Sequence, residues 1–306
     1  MEIITSLEQL HSFAAPCVVA LGTFDGLHRG HLDVIGTAKQ EAEHTGAKLA
    51  VFTFSNHPLE WINPAHVPVA LVTPAVKLQL LESLGVDVLI DIPFNQLVAD
   101  LLPQQFLERL RALNYSCLVV GENFTYGQRG VGNVYTLAAS AQALGFKLIV
   151  RKLVSNNGTI ISSTEIRRLI TAGEVQQAAK MLGRSYSISG IVAHGNERGR
   201  LLGYPTANLE LVDAHVAIPL GGVYAVRAYV DGGVYGGMAN IGKNPTFGDV
   251  EKPRLETNIF GFSGDIYGKT LTIEFVQSIR GEVKFAGIDA LKAQLAQDKL
   301  DCLKFL

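Results

Sequence analysis

The sequence predicts an α/β domain built on a doubly wound parallel sheet, followed by a small all-β barrel domain with a C-terminal helix. Three observations support this fold class. Short apolar runs alternate with helical stretches in the first half, alternating apolar and polar residues with dense glycines fill the second half, and residues 288–306 return to helical spacing. Because the periodicity changes after Leu182-Gly183-Arg184, we place the boundary between domains 1–183 and 184–306.

The first half has the pattern that builds a parallel sheet. Strands are predicted at residues 17–22, 48–54, 86–90, 117–121 and 146–151. Helices are predicted at residues 31–45, 74–84 and 103–113, where the first two end at Gly46 and Gly85 and the third begins at Pro103. Alternation at this spacing implies right-handed crossovers that cover both faces of the sheet, with ligands at the carboxyl ends of its strands.

The second half has the pattern of short antiparallel strands. Residues 223–230 and 234–241 alternate and are joined by Asp231-Gly232-Gly233, a composition that predicts a hairpin. Residues 187–193, 255–260 and 271–276 supply further strands for a small barrel. Leucines at near-helical spacing after Ile288 predict a terminal helix that packs on the barrel.

Composition narrows the class of protein. The 306 residues are 48% hydrophobic and 18% charged, as in folded globular proteins, and a formal net charge of -2 offers no general attraction for nucleic acid or an anionic membrane. The start of the chain lacks the pattern of a signal peptide, and no apolar run reaches the ~18 residues that span a bilayer. Cys17, Cys117 and Cys302 are far apart, which argues against a disulfide framework or a zinc site and fits a reducing cytoplasm.

The segment GTFDGLHRGH, residues 22–31, leaves a predicted strand, crosses a glycine-bearing turn and enters a predicted helix. A helix amino terminus favours anions, so a phosphate group is the expected ligand. His28 and His31 are three residues apart and lie on one side of the first turn. Imidazole donors there suit in-line attack on an α-phosphate, which builds negative charge on its oxygens and on the departing pyrophosphate. Capping or surface histidines are the alternative interpretation.

A second segment, ISSTEIR at residues 161–167, has serines of the capping type that lead into a helix. Its hydroxyls and the Arg167 guanidinium are suited to phosphate oxygens. An ordinary helix cap is the alternative interpretation of this segment alone.

GTFDGLHRGH followed by ISSTEIR resembles the nucleotidyltransferase module of prokaryotic FAD synthetases, over the whole first half of the chain. The resemblance implies that His28, His31 and Arg167 act in catalysis. It also implies a set of ATP-binding residues: Gly22, Phe24, Asp25, Gly26, His28, Gly30, His31, Ser162, Ser163, Thr164 and Arg167.

Two further segments resemble the flavin side of the same family. In VGENFTYG, residues 120–127, the resemblance implies FMN contact by Asn123 and Phe124, although the family usually has phenylalanine at the position of Tyr126 and some members have aspartate at that of Asn123. In FSNHP, residues 54–58, it implies contact by Asn56 and His57. A loop histidine with a structural hydrogen bond is the alternative for His57, and Asn56 is treated in the same way.

The second half contains another candidate phosphate site in GRLLGYPTAN, residues 199–208. Thr206 and Asn208 are two residues apart, so in an extended segment both face one side, where their oxygens can coordinate Mg²⁺. No Walker A loop occurs here. Transfer of a phosphoryl group to an alcohol requires a base, and the candidate is Glu256 in RLETNIF, for which a solvated strand glutamate is the alternative.

This half resembles riboflavin kinase in GRLLGYPTANL, in NIGKNPTFG at residues 240–248, in DIYG and in IRGEVKF. The resemblance implies a six-stranded Greek-key barrel with Glu256 as the base and Thr206 and Asn208 at the Mg²⁺ of ATP. Many members have histidine at the position of Asn258 and aspartate at that of Gly261. The implied ATP-binding residues are Gly199, Arg200, Gly203, Tyr204, Pro205, Thr206 and Asn208.

Together the two resemblances predict a cytoplasmic bifunctional enzyme that phosphorylates riboflavin to FMN and adenylylates FMN to FAD, using Mg-ATP in each step. Riboflavin, FMN and ATP are its expected partners, nucleic acid and membrane are not, and a homo-oligomer is left open. Two alternatives remain at this point: only one module is active, or the chain is a flavin-sensing binding protein. Intact His28, His31 and Glu256 argue against the binding protein, because binding alone does not require groups for phosphoryl transfer.

Overall fold

The computed structural model describes residues 1–194, 203–213, 215–243 and 253–306. Contacts within the chain divide it into two units. The first unit comprises Met1–Pro68 and Val72–Ser162, and the second comprises Val69–Leu71 and Ser163–Leu306. This division after residue 162 rests on contacts alone and does not test the predicted domain boundary at residue 184, which stays a prediction.

The first unit is built on a six-stranded sheet in the order β1-β4-β3-β2-β5-β8. Every neighbouring pair in it is parallel, as the alternation of strands and helices predicts. Two small antiparallel pairs, β6 with β7 and β9 with β10, lie outside the sheet. The strands of this unit are β1 Glu2–Ile4, β2 Cys17–Leu21, β3 Lys48–Phe54, β4 Val88–Ile92, β5 Tyr115–Gly121, β6 Thr125–Tyr126, β7 Gly132–Asn133, β8 Lys147–Arg151, β9 Ser155–Asn156 and β10 Thr159–Ile160.

Both faces of this sheet are buried. Alternate residues of β2 belong to different core clusters, with Val19 and Leu21 in one and Val18 and Ala20 in the other. A strand with a hydrophobic cluster on each side must be apolar at every position, which explains the run CVVAL. The helices of the first unit are α1 Arg29–Thr45, α2 Pro58–Ile62, α3 Pro74–Ser83, α4 Gln96–Ala99, α5 Pro103–Leu110 and α6 Val134–Leu144.

Strand order places the first candidate site at a topological switch point. From β2 the chain continues to β3 and β4 on one side, and β5 then pairs with β2 on the other side. The carboxyl ends of β2 and β5 therefore flank a crevice, where ligands bind in sheets of this kind. GTFDGLHRGH follows β2 and the ENFTYG segment follows β5, so the two motifs meet at this edge.

The second unit contains a closed antiparallel barrel in the order β11-β12-β15-β14-β13-β16. Consecutive β13, β14 and β15 are followed by β16, which returns to pair with β13, and this is the Greek-key arrangement. Val230 pairs with Gly233 across Asp231 and Gly232, both with positive φ (51° and 74°), so the predicted hairpin is confirmed. The elements are α7 Ser163–Thr171, α8 Val175–Leu182, β11 Tyr186–Ala193, β12 Ala207–Leu211, β13 Gly222–Val230, β14 Gly233–Lys243, β15 Pro253–Ile259, β16 Thr270–Gly281 and α9 Ile288–Leu303.

The predicted C-terminal helix packs on the barrel as α9. A buried ion pair holds it there, since Arg280 of β16 donates to both carboxylate oxygens of Asp298 at 2.8 and 2.7 Å. The Asp298 side chain is 1% exposed, and Gln294 donates to it as well. Helical spacing predicts the helix but not the burial of Asp298, because a charged residue in such a pattern is expected on the solvent-exposed face.

The sequence missed several elements. The edge strand β1 is only three residues long, and β12 begins within the loop-like segment PTAN, residues 205–208. Helices α6 and α8 end at Gly145 and Gly183, glycine signals that were not used to predict them. Short strands owe their structure to pairing partners far along the chain, and local patterns do not contain that information.

The three cysteines are free and buried, and burial raises the pKa of Cys17 and Cys117 to about 11 and of Cys302 to about 12. Among the described residues, no helix has the length and apolar character to cross a membrane.

Candidate active sites

The loop between β2 and α1 has an unusual backbone. Phe24 and Leu27 adopt positive φ values of 46° and 43°, and Gly26 adopts 78°. Non-glycine residues pay for such conformations, and here both side chains are 1% exposed, so their burial offsets the cost. The hydrophobic core thus holds the loop in a fixed shape in front of the amino terminus of α1.

His28 caps α1 and stacks on His31. The Nδ1 atom of His28 accepts a hydrogen bond from the backbone N–H of His31 at 3.3 Å. The two rings are 3.6 Å apart between centroids and 17° from parallel. A Cβ on Gly30 would lie 3.2 Å from ring atoms of His28, so glycine at this position leaves room for the imidazole. His28 is therefore a capping residue, the alternative that the sequence left open, while His31 lies in the first turn of α1, and their roles at a phosphate stay a prediction.

His31 is held in its neutral form. Burial lowers the pKa of its imidazole well below 6.5, and positive charge on His28 and Lys77 lowers it further. Its Nδ1 atom is buried and has no hydrogen-bond partner within the part of the chain that the structure describes. A polar atom in that state is costly unless a ligand completes its bonding. An anionic group at the start of α1 fits this requirement, because the helix terminus also favours it.

Lys77 is a cation beside this loop with a side chain only 15% exposed, and no sequence motif marks it. Its Nζ donates to the Thr53 hydroxyl and the Phe54 carbonyl oxygen, each at 2.9 Å, and lies 3.6 Å from Asp91 Oδ1. Thr53 in turn donates to the carbonyl oxygen of Thr23 at 2.8 Å. Burial lowers the pKa of Lys77, while Asp91 and Asp25 oppose that shift. This chain of bonds links α3 and β3 to the first residues of the GTFDGLHRGH loop.

Asn56 and His57 make structural contacts within the first unit. The Asn56 amide pairs with the backbone of Phe94, accepting from its N–H at 2.6 Å and donating to its carbonyl oxygen at 3.2 Å. His57 caps α2, and its Nδ1 accepts from Leu59 N–H at 3.1 Å. These bonds are the structural alternative that the sequence left open. Flavin contact by either residue stays a prediction.

The segment after β5 contains a pair of stacked aromatic rings. Phe124 and Tyr126 are 5.7 Å apart between centroids and 11° from parallel. Tyr126 is buried, and its hydroxyl lies 3.4 Å from Thr136 Oγ1. The hydroxyl group that distinguishes this tyrosine from the usual phenylalanine therefore has a polar partner. Asn123 is exposed, and Phe124 is partly buried against the core. Both residues follow the carboxyl end of β5. Their contact with a flavin stays a prediction.

The start of ISSTEIR lies beside α1. The Ile161 carbonyl oxygen is 3.9 Å from the position that a Cβ on Gly30 would take. Within the first unit, the structure therefore brings the end of this segment, up to Ser162, to the amino terminus of α1. In the second unit, Ser163 begins α7 and Arg167 donates to the carbonyl oxygen of Val69 at 2.5 Å. The nucleotide contacts of Ser162, Ser163, Thr164 and Arg167 stay predictions.

The second candidate site lies on two paired strands of the barrel. Asn208 of β12 pairs with Glu256 of β15, and Ala207 pairs with Thr257. Thr206 comes directly before β12 and is partly buried. Asn208 and Glu256 therefore lie side by side on neighbouring strands. Arg254, which the sequence analysis did not single out, forms an ion pair with Glu256 and donates to Asn208.

The two departures from the riboflavin kinase pattern have local explanations. Asn258 is 7% exposed and donates to the Pro205 carbonyl oxygen at 2.6 Å, so it fixes the backbone directly before Thr206. Gly261 has a φ of 68°, in the left-handed region that favours glycine. Asn258 is thus a supporting residue of the PTAN segment that the sequence reasoning had left without a role.

Part of the second predicted site lies outside the described residues, namely Gly199, Arg200 and most of NIGKNPTFG. Gly203 is described and exposed, with a φ of 83°. Tyr204 packs against a cluster of buried residues that includes Met238 of the barrel and Cys302 of α9. ATP binding by Gly199, Arg200, Gly203, Tyr204 and Pro205 stays a prediction.

Comparison with known proteins agrees with the two-part organisation. Residues 10–165 match the FAD synthetase family, and residues 182–306 match the riboflavin kinase family. A Bacillus subtilis protein is 42% identical over 95% of this chain and 93% of its own length, and a Listeria monocytogenes protein is 40% identical over 94% and 92%. Both are named bifunctional riboflavin kinase/FMN adenylyltransferase.

A solved structure also matches the whole chain. It is described as a macrolide-efflux protein from Streptococcus pneumoniae, with a TM-score of 0.92, 34% identity and coverage of 99% of both chains. The two family matches and the curated relatives together cover nearly every residue described above. The chain therefore belongs to the family of bifunctional riboflavin kinase/FMN adenylyltransferases.

Proposed function

We propose that this chain phosphorylates riboflavin to FMN with ATP through its C-terminal residues and adenylylates FMN to FAD with a second ATP through its N-terminal residues, releasing pyrophosphate. The observation that carries the proposal is the match of each half to one of the two families. The residues that we propose for each reaction lie close together within a unit, His28 with His31 and Asn208 with Glu256. The efflux description belongs to the Streptococcus pneumoniae protein, and no observation on this chain supports transport.

In adenylyl transfer, the phosphate oxygen of FMN attacks the α-phosphate of ATP and pyrophosphate departs. The first turn of α1, with His28 and His31, supplies donors for the charge that develops on the phosphate oxygens. His31 remains neutral near pH 7, so it contributes a hydrogen bond without an added charge. The fixed loop and the bonds from Lys77 through Thr53 keep these donors in place before the substrate arrives.

In phosphoryl transfer, Glu256 accepts the proton of the riboflavin hydroxyl while the γ-phosphoryl group of ATP moves to the hydroxyl oxygen and ADP departs. Glu256 is partly buried on β15, beside Asn208. Asn258 secures the backbone at Pro205, so Thr206 and Asn208 have a defined position relative to this base. The base and the nucleotide ligands thus come from neighbouring strands of a rigid barrel.

Thr206 and Asn208 are the proposed ligands of Mg²⁺. Hydroxyl and amide oxygens, next to a carboxylate, form the hard donor set that fits this ion. Within the described ranges no group of three or more His, Cys, Asp and Glu residues forms a metal site, so substrate phosphates must complete the coordination. Bound with ATP, Mg²⁺ would neutralise charge on the phosphates.

The partners and the location follow from the same proposal. Riboflavin, FMN and ATP are the substrates of these activities, and we expect neither nucleic acid nor membrane as a partner. We propose a cytoplasmic location, which the three free, buried cysteines support because their thiols need no oxidising compartment.

The direct test is to incubate the purified chain with riboflavin, ATP and magnesium and to separate the products by chromatography. We expect FMN to appear first and FAD to follow. Omission of ATP should stop both products, and FMN supplied as the acceptor should yield FAD alone. Riboflavin that stays unchanged, in a folded preparation, would overturn the proposal.

A further inference from the structure

Arg254 contacts both groups that the proposed kinase reaction needs, and it does so from the same strand as the base. Arg254 and Glu256 are two residues apart on β15, so their side chains share a face. Glu256 is the register partner of Asn208 on β12, which places Arg254 diagonally across from Asn208. One guanidinium therefore reaches the proposed base and a proposed metal ligand. The inference rests on the function proposed above.

The contacts saturate the amide oxygen of Asn208. Arg254 donates to Asn208 Oδ1 twice, from Nε at 3.2 Å and from a terminal guanidinium nitrogen at 2.8 Å. An amide oxygen has two lone pairs, so both are used. Arg254 Nε also contacts the Glu256 carboxylate. In this arrangement Asn208 has no lone pair left for a metal ion.

Electrostatics leads to the same result. A guanidinium is charged at every pH at which a protein is folded, and Mg²⁺ carries two positive charges. Two cations that compete for one oxygen atom repel each other strongly at ligand distances. Arg254 and Mg²⁺ therefore cannot occupy the Asn208–Glu256 pair at the same time.

We propose that Arg254 is a positioning residue that holds Asn208 and Glu256 in the nucleotide-free enzyme and that the Mg²⁺–nucleotide complex displaces it. In this state the guanidinium takes the place of the metal and keeps the base and the ligand aligned. On binding, it leaves Asn208 Oδ1 and frees the Glu256 carboxylate for the riboflavin hydroxyl. Occupation of the site is then a cation exchange.

The burial of Arg254 agrees with a contact that can be released. The side chains of Arg254 and Glu256 are 33% and 22% exposed, so the guanidinium can move to solvent at little cost. Arg280 and Asp298 show the opposite case, with Asp298 1% exposed and both its oxygens bonded. That pair fixes α9, whereas the Arg254 contacts lie at a site that must open.

The test uses the full chain and ADP as the probe, titrated by calorimetry with and without Mg²⁺. If Arg254 competes with the metal, Arg254→Gln should lower the Kd for ADP with Mg²⁺ by roughly threefold to tenfold and leave metal-free ADP binding unchanged. Arg254→Lys keeps the charge and should behave more like the wild type. The N-terminal half also has a predicted nucleotide site, and its sequence is the same in every variant. The difference between the isotherm of a variant and that of the wild type therefore reports on the site in the barrel.

Arg227→Gln is the matched control, because Arg227 forms an ion pair with Glu274 at 2.8 Å on the same barrel and touches neither predicted ligand. The Kd of the Arg227→Gln variant for ADP with Mg²⁺ should equal that of the wild type. A thermal unfolding curve by circular dichroism that matches the wild type shows that the barrel is folded in each variant. The Mg²⁺ concentration for half-maximal FMN formation should fall in Arg254→Gln and stay constant in Arg227→Gln.

The possible outcomes separate the two proposals. Weaker ADP binding by Arg254→Gln would show that Arg254 contacts the nucleotide, and unchanged binding would show a surface ion pair without function; either result overturns the displacement. A wild-type chain that makes no FMN overturns the proposed function itself. A wild type that makes FMN with an unchanged Arg254→Gln isotherm overturns only the role of Arg254.

Discussion

His28 and His31 stack with their ring centroids 3.6 Å apart at the start of α1, and positive charge on His28 lowers the pKa of His31. Two protonated imidazoles at this distance would repel each other, and the positive end of the helix dipole disfavours both. The His31 imidazole therefore meets an incoming polyphosphate in its neutral form. A neutral imidazole can donate a hydrogen bond to charge that develops during the reaction, without a permanent ion pair to break.

Exchange of one residue in each site should separate the two activities. His31→Ala removes a proposed donor to the phosphates and should lower FAD formation by about a hundredfold or more, with FMN formation unchanged. Glu256→Ala should do the opposite, because it removes the proposed base. Product chromatography with riboflavin or FMN as the acceptor measures both rates. His11→Ala, at an exposed histidine paired with Glu2, is the control, and equal loss of both activities in either site variant contradicts two separate sites.

A methyl group on Gly30 should impair FAD formation through the His28 ring. The added Cβ would lie 3.2 Å from His28 Cε1 and Nδ1, so the imidazole must shift. Gly36 is the matched control in the same helix, since a Cβ there meets nothing within 4 Å. Gly36→Ala should raise the free energy of unfolding by about 0.5–1 kcal/mol without loss of activity. Equal FAD formation by Gly30→Ala and Gly36→Ala would contradict this arrangement of the cap.

The pKa of His31 predicts how stability depends on pH. In the folded protein burial, His28 and Lys77 hold this pKa well below 6.5, and the unfolded chain returns it to about that value. Below pH 6.5 the unfolded chain binds a proton that the folded chain refuses, so the free energy of unfolding falls as the pH falls. Above pH 6.5 this contribution is present in full.

Urea unfolding of the wild type and of His31→Gln at several pH values checks this prediction. Glutamine does not titrate, so the variant should lose less stability than the wild type on acidification. The difference between the two curves isolates His31 from the other titrating groups. Parallel curves would show that His31 titrates in the folded protein as it does in water.

Loss of Lys77 should slow FAD formation although the residue lies outside the predicted motifs. Lys77→Met removes the bonds to Thr53 and Phe54 and leaves Asp91 without its cation. The loop then loses one support, and His31 loses a charge that lowers its pKa. We expect a lower kcat for FAD formation. We also expect the acid limb of the pH profile of this reaction to move to higher pH. Lys39→Met is the control, because Lys39 bonds only the Leu84 carbonyl oxygen among its described contacts.

The buried pair of Arg280 and Asp298 should determine the stability of the barrel. Asp298→Ala leaves the guanidinium without its partner and should cost about 3 kcal/mol, measured by thermal inactivation of FMN formation. Asp301→Ala, in the same helix, removes an exposed contact to Lys304 and should leave the inactivation temperature unchanged. If the two variants inactivate alike, the Asp298 contact does not hold α9 on the barrel.

Local patterns in the sequence determined the element types and the two motifs. β3 has the predicted bounds, α1 ends at Gly46 and the hairpin turns at Asp231-Gly232, because these signals depend on residues only a few positions apart. The helix after GTFDG likewise follows from its own sequence, and so does the position of both histidines at its start.

The tertiary structure alone decided which distant side chains meet. Lys77 bonds Thr53 from 24 residues away and Arg254 bonds Asn208 from 46 residues away, and neither contact has a local pattern. Sheet order brought the segments after β2 and β5 to one edge, and barrel closure set Asn208 beside Glu256. The physical reason is that hydrophobic periodicity specifies which face of an element is buried, whereas its partner is selected by the packing of the complete chain.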